Sequence, residues 1–289
     1  INGTVLSERP GQIEPTVVKA GNHSFLQFNG ENDEGTRIQY YQILDLDLNM
    51  VGDTNGTVIY ENLATQNQEF SVVTTGNDGF VYVAFSDTRW YDLDIYVQKY
   101  SEIGEPQWQE GGIAVGALEA DDVIESIVPG PDEGCIIVWA NGSWLGIDLY
   151  AQAIDGSGNT RDGWSEVATV ISNWNSDQSN SQLHTTNDGI FILWEDKRDG
   201  SMDLYGQFVT YDGTITGTDG GFPVTAKMND QYEASMDHNQ YTETIFIAWQ
   251  DFEAGIDFDI FGRLLNLSDL SLNDEIIIAQ DSLDQLAPD

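Results

Sequence analysis

The stretch LWEDKRDGSMDLYGQ, residues 193–207, recurs through the chain at intervals of about 55 residues. Three further copies align with it directly, and a fourth is degenerate. They are AFSDTRWYDLDIYVQ from Ala84, VWANGSWLGIDLYAQ from Val138, AWQDFEAGIDFDIFGR from Ala248 and the degenerate QFNGENDEGTRIQYYQ from Gln27. The chain is therefore predicted to contain five repeats of one structural unit.

Each repeat has the pattern of short strands rather than helices. In the second repeat the alternating run Phe80–Phe85 ends in an aromatic residue, a polar turn follows, and another alternating run begins at Leu93. A shorter run, residues 70–74, precedes them through the hairpin-type sequence Gly76-Asn-Asp-Gly79. A fourth run covers residues 112–115. Four short antiparallel strands per repeat are typical of a propeller blade.

The predicted fold class is all-β, a β-propeller of five four-stranded blades in a single domain, residues 1–289. The alternative is a part of a larger propeller. Gly11–Pro15 resembles Asp284–Pro288, and Asn2–Leu6 resembles the fourth-strand run Glu275–Ile278, so both ends offer the same strand. The chain also starts at Ile1 without a signal peptide, which is what a processed or excised segment would show.

The copy at residues 193–207 resembles a repeat of secreted and cell-surface β-propeller proteins of bacteria and archaea, with the pattern W-x-D-x-R-x-G-x-x-D-[IL]-Y-x-Q. The residues that carry this resemblance are Trp194, Asp196, Arg198, Gly200, Asp203, Tyr205 and Gln207. The copy from Ala84 keeps Asp87, Arg89, Asp94, Tyr96 and Gln98. The copy from Val138 has Asn141 and Ser143 in place of Asp and Arg, and the copy from Ala248 has Glu253 and Arg263 in place of Arg and Gln. The resemblance implies an extracellular or cell-surface propeller, usually one module of a larger surface protein. It implies no common activity.

The charge balance is strongly acidic, with 49 Asp plus Glu against 10 Lys plus Arg and a formal net charge of −39. Such a surface repels phosphate backbones, which excludes nucleic acid as a partner, and it is held off anionic membranes. No apolar run approaches the ~18–20 residues that span a bilayer, so no membrane insertion is expected. Acidic surfaces are typical of secreted and halophilic proteins; the alternative is binding of calcium or of a basic partner.

The repeated Asp and Arg side chains admit two interpretations. Asp87, Arg89, Asp196 and Arg198 lie in the predicted turn region, where they are candidates for ligand binding. Paired carboxylates also perform glycoside hydrolysis, but a catalytic set is assembled once and does not recur in register. Recurrence favours a structural role, in which each Asp caps a turn and pairs with its Arg.

Two short runs could bind calcium, Asp45-Leu-Asp47-Leu-Asn49 and Asp155-Gly-Ser157-Gly-Asn159. They place oxygen atoms at alternating positions, as calcium loops do, but both lack the Gly and terminal Glu of an EF-hand loop. Asp, Asn and Gly are also ordinary hairpin residues. Calcium is therefore an optional ligand without an assigned position, and no cofactor is required.

Three tryptophans fall outside the repeated core positions. Trp90, followed by Tyr91, and Trp144 lie in the turn between the second and third predicted strands, and Trp174 lies in a connection between repeats. Large aromatic rings exposed beside Asp, Asn and Arg suit the stacking and hydrogen bonding of sugar rings. The alternative is local packing over the loops.

Three functions are compatible with this sequence. The first is a non-catalytic extracellular binding or scaffold module whose loop face engages a glycan or a surface protein. The second is a structural subunit of a cell-surface layer or filament. The third is a propeller enzyme such as a glycoside hydrolase or lyase, for which Glu125 and Asp237 are the best-placed acids.

Overall fold

The computed structural model describes residues 12–60, 67–116, 118–143, 146–252 and 257–280. Several of the predictions concern residues outside these ranges. These are the end fragments 2–6 and 284–288, Gly11, Trp144 and Glu253.

The described chain forms five antiparallel sheets, each built from strands that are consecutive in the sequence. The first sheet contains β1 (Ile13–Ala20), β2 (His23–Glu31), β3 (Arg37–Leu44), β4 (Met50–Val51) and β5 (Thr57–Val58). The second contains β6 (Gln68–Thr75), β7 (Val81–Asp87), β8 (Asp94–Tyr100) and β9 (Ile113–Gly116). The third contains β10 (Asp121–Pro129), β11 (Cys135–Ser143), β12 (Gly146–Ile154) and β13 (Thr169–Ser172). The fourth contains β14 (Gln178–Thr185), β15 (Gly189–Asp196), β16 (Asp203–Thr210), β17 (Ile215–Thr216) and β18 (Phe222–Thr225). The fifth contains β19 (Gln231–Asn239), β20 (Thr244–Asp251), β21 (Asp259–Asn266), β22 (Ser271–Leu272) and β23 (Ile276–Ala279).

The outermost strand position of a sheet is interrupted. In the first, fourth and fifth sheets two short strands pair with the same third strand, for example β17 and β18 with β16. In the second and third sheets a single bridge, Tyr100–Pro106 or Ile154–Thr160, precedes the outermost strand. Every sheet therefore has four strand positions, as the repeat predicted.

The chain divides into two compact units, which are described separately. The first unit comprises residues 1–142 and 151–168, and the second comprises residues 143–150 and 169–289. The first and second sheets lie wholly in the first unit, and the fourth and fifth wholly in the second. A single domain over residues 1–289 stays a prediction.

Each unit has its own hydrophobic core, formed where one sheet packs on the next. In the first unit Phe25, Tyr41 and Ile43 of the first sheet pack against Val83 and Tyr100 of the second. The stacked rings of Phe25 and Tyr41 have centroids 5.0 Å apart. Strands of alternating residues can bury one face in this way because their side chains point to opposite sides of the sheet.

The leading tryptophans of the repeats lie in the cores. Trp139, Trp194 and Trp249 are completely buried, as predicted from their repeat position. Trp194 stacks on Tyr205 and Trp249 on Phe261, each pair with centroids 6.4 Å apart. Within the described ranges, no helix is long and apolar enough to cross a membrane.

Candidate functional site

The turn between the second and third strands of a sheet, here called the 2–3 turn, carries most of the predicted binding residues. It covers residues 88–93 in the second sheet and residues 197–202 in the fourth. Facing aspartates flank it, Asp87 opposite Asp94 and Asp196 opposite Asp203.

Neighbouring strands fix the 2–3 turn of the second sheet on both sides. The Thr88 amide donates to the carbonyl of Asn67, just before β6, over 3.1 Å. The Leu93 amide donates to Asp121 Oδ1 at the start of β10 over 3.1 Å. The Leu93 carbonyl accepts from the Asp122 amide over 2.7 Å. The turn is therefore a rigid element rather than a free loop.

Asp87 and Arg89 form a buried structural pair under this turn. Asp87 Oδ1 accepts the Arg89 amide over 2.7 Å, and Asp87 Oδ2 accepts from Arg89 Nη2 over 3.0 Å. The guanidinium carbon lies 3.4 Å from the ring centroid of Tyr96 and 4.1 Å from that of Tyr60. Its Nη1 also donates to the carbonyl of Gly111 over 3.1 Å. The predicted turn cap and Asp–Arg pairing are both present.

Asp196 and Arg198 repeat this arrangement in the second unit. The Arg198 amide donates to Asp196 Oδ1 over 2.9 Å, and the guanidinium pairs with Asp196 Oδ2. The same carboxylate accepts Trp194 Nε1–H over 2.9 Å. The guanidinium lies 3.8 Å from the ring centroid of Tyr205 and donates to the carbonyl of Gly220 over 2.7 Å. These bonds hold the Asp196 carboxylate and the Arg198 guanidinium in place within the sheet.

In the fifth sheet the cation comes from another segment. Lys227 Nζ lies 3.1 Å from Asp251 Oδ2 and 4.2 Å from the ring centroid of Phe261. It also pairs with Glu275 over 2.7 Å. Lys227 therefore takes the place that Arg198 has in the fourth sheet.

In the third sheet the acid comes from another strand. Asn141 stands where the repeat has Asp, and Asp122 of β10 accepts Trp139 Nε1–H over 3.0 Å and Asn141 Nδ2–H over 2.8 Å. Burial raises the pKa of Asp122, opposed by these hydrogen bonds and by the one from the Leu118 amide.

Tyr91 differs from the equivalent residue of the fourth sheet in exposure and in residue type. Its side chain is 100% exposed and its φ is 104°, in the region that favours glycine. The equivalent residue is Gly200, with φ 98°. Both amides bond to the residue three positions earlier, Tyr91 to Thr88 and Gly200 to Lys197. A tyrosine at a glycine position strains the backbone and gains no packing in return.

Trp90 lies beside Tyr91 and is 67% exposed. Its side chain hydrogen-bonds to Tyr96, whose ring covers Arg89. Trp90 and Tyr91 therefore form an outward-facing aromatic pair, which we call the aromatic turn, above a buried Arg–Tyr stack. Both residues are predicted binding residues, and the alignment of Tyr91 with Gly200 is the sequence signal from which its glycine-like backbone could have been predicted.

Trp174 has a different setting from the aromatic turn. The centroid of its half-exposed ring lies 4.9 Å from the guanidinium carbon of Arg198, which also lies 3.8 Å from the ring centroid of Tyr205. A Cβ on Gly220 would lie 2.6 Å from Trp174 Nε1, so the missing side chain makes room for the indole. Tyr60 covers Arg89 in the same manner. Trp174 thus combines local packing with an exposed edge.

The flanking aspartates Asp94 and Asp203 have raised pKa values. Burial, followed by the neighbouring carboxylates, raises the pKa of each to about 6. In Asp203 the Lys227 amide donates to Oδ1 over 3.1 Å, which partly opposes the shift. The charged form of these carboxylates is disfavoured inside the sheets.

A cleft of about 530 Å³ lies beside the 2–3 turn of the fourth sheet. Its lining combines carboxylates, an amide, a hydroxyl and an aromatic ring, from Asp199, Asp230, Asn229, Ser201 and Phe252. Asp199 accepts the Tyr205 hydroxyl and Asp230 accepts the Tyr232 hydroxyl, both over 2.9 Å. Polar groups around one ring suit a hydroxyl-bearing ligand.

The two runs considered for calcium form hairpin turns. Asp45 Oδ1 accepts the amides of Asp47 and Asn49, and Asp155 Oδ1 accepts those of Ser157 and Asn159. Among the described residues, no three His, Cys, Asp or Glu side chains are grouped so as to hold a metal ion. Calcium binding stays a prediction.

The two acids named for the enzyme alternative lie in first strands. Glu125 is in β10 of the first unit, and Asp237 is in β19 of the second. Asp237 lines an open cleft with His184, His238 and Tyr241. Within the second unit, burial and the neighbouring His238 lower the pKa of His184, so its ring is neutral at pH 7.

Comparison with solved structures reveals a likeness of fold. A protein of unknown function from Dyadobacter fermentans has a TM-score of 0.55 at 11% identity, over 95% of this chain and 85% of that chain. A thermostable family-43 glycoside hydrolase has a TM-score of 0.45 at 9% identity, over 75% and 78% of the two chains. The endo-arabinase from Bacteroides thetaiotaomicron has a TM-score of 0.43 at 13% identity, over 97% and 98%. No family model matches this chain, and no curated protein matches its sequence.

The predicted fold class is confirmed. The chain is all-β and consists of five four-stranded antiparallel sheets that match five-bladed propeller structures. The Dyadobacter fermentans protein of unknown function has a similar fold. At such low identity the likeness concerns the fold alone, because one propeller architecture supports many unrelated activities.

Proposed function

We propose that this chain is a non-catalytic extracellular binding module that engages a glycan through the aromatic turn, Trp90 and Tyr91. The observation that carries the proposal is Tyr91, a fully exposed tyrosine with φ 104° at the position where the fourth sheet has Gly200. Backbone strain of this kind is enriched at functional sites. Indole and phenol faces bind sugar rings by stacking on their apolar sides.

The surroundings of the aromatic turn suit this role. Bonds to Asn67, Asp121 and Asp122 hold the turn in place, so little conformational entropy is lost when a ligand binds. Asp92 follows the two aromatic residues in the sequence, and its carboxylate offers hydrogen-bond acceptors for hydroxyl groups. With a net charge of −39, the module should prefer neutral sugars to sialylated or uronic-acid glycans.

The resemblance of the repeat to those of secreted and cell-surface proteins supports an exported protein, so we place the module outside the cell or on its surface. The proposed module requires no cofactor. Calcium is an optional ligand in this proposal. A larger surface protein would carry the module to its glycan, and nucleic acid and membrane are not among its partners.

A glycan array tests the proposal directly. Wild type should bind a set of neutral glycans, and Trp90→Ala should lose at least about tenfold in affinity for them. Tyr241→Ala is the matched control, because Tyr241 is a largely exposed aromatic in the turn between β19 and β20. Absence of any glycan signal, or equal loss in both variants, would refute the proposal.

A further inference from the structure

The cleft beside the 2–3 turn of the fourth sheet contains a buried carboxylate oxygen that can accept a further hydrogen bond. Asp203 lines this cleft and is 1% exposed. Its Oδ1 accepts the Lys227 amide over 3.1 Å, whereas its Oδ2 has no hydrogen-bond partner among the described residues. Ser201 is close enough to lower the pKa of Asp203, but its single hydroxyl proton goes to the carbonyl of Lys227 over 3.1 Å. Since buried polar atoms are normally paired, Asp203 Oδ2 suits a donor on a ligand.

Two further carboxylates line the same cleft, those of Asp199 and Asp230. Each accepts the hydroxyl of a tyrosine, and Asp230 Oδ1 also accepts the Met202 amide over 2.9 Å. These hydrogen bonds hold the two side chains in position without neutralising their charge. Three carboxylates around one cleft attract a cation.

The lysine of the cleft does not supply this cation. Lys227 Nζ lies 3.1 Å from Asp251 Oδ2 and 2.7 Å from Glu275 Oε2, so its charge is directed to these two acids. Within the part of the chain that the structure describes, Asp199, Asp203 and Asp230 form no ion pair. The complement of the cleft is therefore a positively charged group.

The remaining side chains of the cleft suit a sugar. Phe252 lines it, and the ring packs on Phe258 with centroids 5.0 Å apart, which holds it in place. An aromatic ring offers a stacking face to the apolar side of a sugar and attracts an ammonium group. Asn229 and Ser201 also line the cleft, and amide and hydroxyl groups bond to sugar hydroxyls.

We propose that this cleft is a second ligand site, which binds an amino sugar whose amine is free rather than acetylated. The ammonium group has three donors, and it bonds to Asp203 Oδ2 and pairs with Asp199 and Asp230. All lining residues belong to the second unit, whereas Trp90 and Tyr91 belong to the first. The site therefore does not depend on the glycan binding proposed for the aromatic turn.

Binding at this site should depend on the charge of Asp203. Burial and the carboxylates of Asp199 and Asp196 raise its pKa to about 6, against the hydrogen bond from the Lys227 amide. Asp203 is then mostly ionised at pH 7 and mostly protonated at pH 5, whereas the amine of the sugar is cationic at both. Because the ionised carboxylate attracts the ammonium group, the affinity should fall by up to about tenfold from pH 7 to pH 5.

Nuclear magnetic resonance titration of the full chain with D-glucosamine and N-acetyl-D-glucosamine at pH 7 tests the proposal. The two sugars differ only at the nitrogen, and D-glucosamine should bind at least about tenfold more tightly. Asp203→Asn should weaken D-glucosamine binding at least about tenfold. The matched control is Asp219→Asn, which removes one charge at an exposed position and should change the affinity less than about twofold. Both variants should retain the wild-type far-ultraviolet circular dichroism spectrum.

Two further titrations separate this site from its alternatives. Trp90→Ala should keep the preference for D-glucosamine over its acetylated form, so a failure of the aromatic turn to bind glycans would leave this site intact. The n-butylammonium ion, which resembles a lysine side chain, should bind at least about tenfold more weakly than D-glucosamine because it has no hydroxyl groups.

Four results would overturn the proposal. Wild type could show no binding of D-glucosamine, or equal affinity for the two sugars, which would exclude recognition of the ammonium group. Equal losses in Asp203→Asn and Asp219→Asn would assign the binding to the overall charge of the chain. Equally tight binding of n-butylammonium would exclude a sugar as the preferred ligand.

Discussion

At the scale of single residues, the repeated and the non-repeated side chains have different surroundings. Asp87, Arg89, Asp196 and Arg198 are buried, paired and stacked within their own sheets. Tyr91 is fully exposed on a strained backbone. We infer that the recurring side chains stabilise the sheets and that the exceptional ones provide binding.

Loss of Arg198 should destabilise the fold strongly. Arg198→Met leaves the buried carboxylate of Asp196 without its cation, which should lower the free energy of unfolding by about 3–5 kcal/mol in urea titrations. Arg161→Met is the control, since its partner Asp132 is largely exposed and the loss should stay below about 1 kcal/mol. Equal losses would contradict the structural role of the repeated pair.

Relief of the strain at Tyr91 should stabilise the chain. Tyr91→Gly should have a higher free energy of unfolding than Tyr91→Ala by about 1 kcal/mol, because alanine keeps the unfavourable φ and glycine does not. Denaturant titration of the two variants measures the difference. A glycine variant no more stable than the alanine variant would show that the turn is unstrained.

The raised pKa of Asp203 makes one stability effect depend on pH. Its pKa of about 6 lies above the unfolded value, so the fold favours the protonated form and loses stability as pH rises through 6. Asp203→Asn should therefore stabilise the protein by about 1–3 kcal/mol at pH 8 and by much less at about pH 3.5, where the carboxyl group is largely protonated in both the folded and the unfolded state. The exposed Asp219→Asn should change little at either pH. If Asp203→Asn raised the free energy of unfolding equally at both pH values, the raised pKa of Asp203 would be refuted.

Some side-chain environments could be predicted from the sequence and others could not. The repeat was sufficient to predict buried Trp139, Trp194 and Trp249, and the pairing of Asp87 with Arg89, because local spacing determines both. It could not predict the exposure of Trp90 or the stacking of Trp174 on Arg198. Those depend on side chains that approach from distant segments.

At the scale of elements, the five sheets satisfy the same requirement with different residues. The fifth sheet takes its cation from Lys227, which lies between β18 and β19 rather than in the 2–3 turn. The third sheet takes its acid from Asp122 in β10. The sequence revealed the departures from the repeat, but the compensating residues lie outside the repeat pattern and become visible only through sheet packing.

Lys227 should therefore contribute as much to the stability of the fold as a residue of the repeat pattern does. Lys227→Met should lower the free energy of unfolding by about 2–4 kcal/mol, because Asp251 is completely buried and would lose its cation. Lys197→Met, at an exposed position of the 2–3 turn in the fourth sheet, should change it by less than about 0.5 kcal/mol. Equal effects in thermal or urea unfolding would remove Lys227 from this role.

At the scale of the whole molecule, the periodicity of the sequence was enough to predict five four-stranded sheets. Alternating strands and turn residues recur at nearly constant spacing, and each sheet needs a neighbour to bury its apolar face. The interrupted outermost strand was not predicted, since strands of two residues carry no periodic signal. The identity of a ligand cannot be predicted from the fold either, because ligand recognition depends on the few side chains that differ between repeats.

The affinity of Tyr91→Gly for the glycan that wild type binds best on the array tests the central claim most directly. By titration calorimetry, the variant should bind at least about tenfold more weakly than wild type, although its backbone is relieved of strain. Because the fold remains intact, such a loss would assign binding to the aromatic turn itself. Unchanged affinity in Tyr91→Gly would contradict the claim and place the binding site elsewhere.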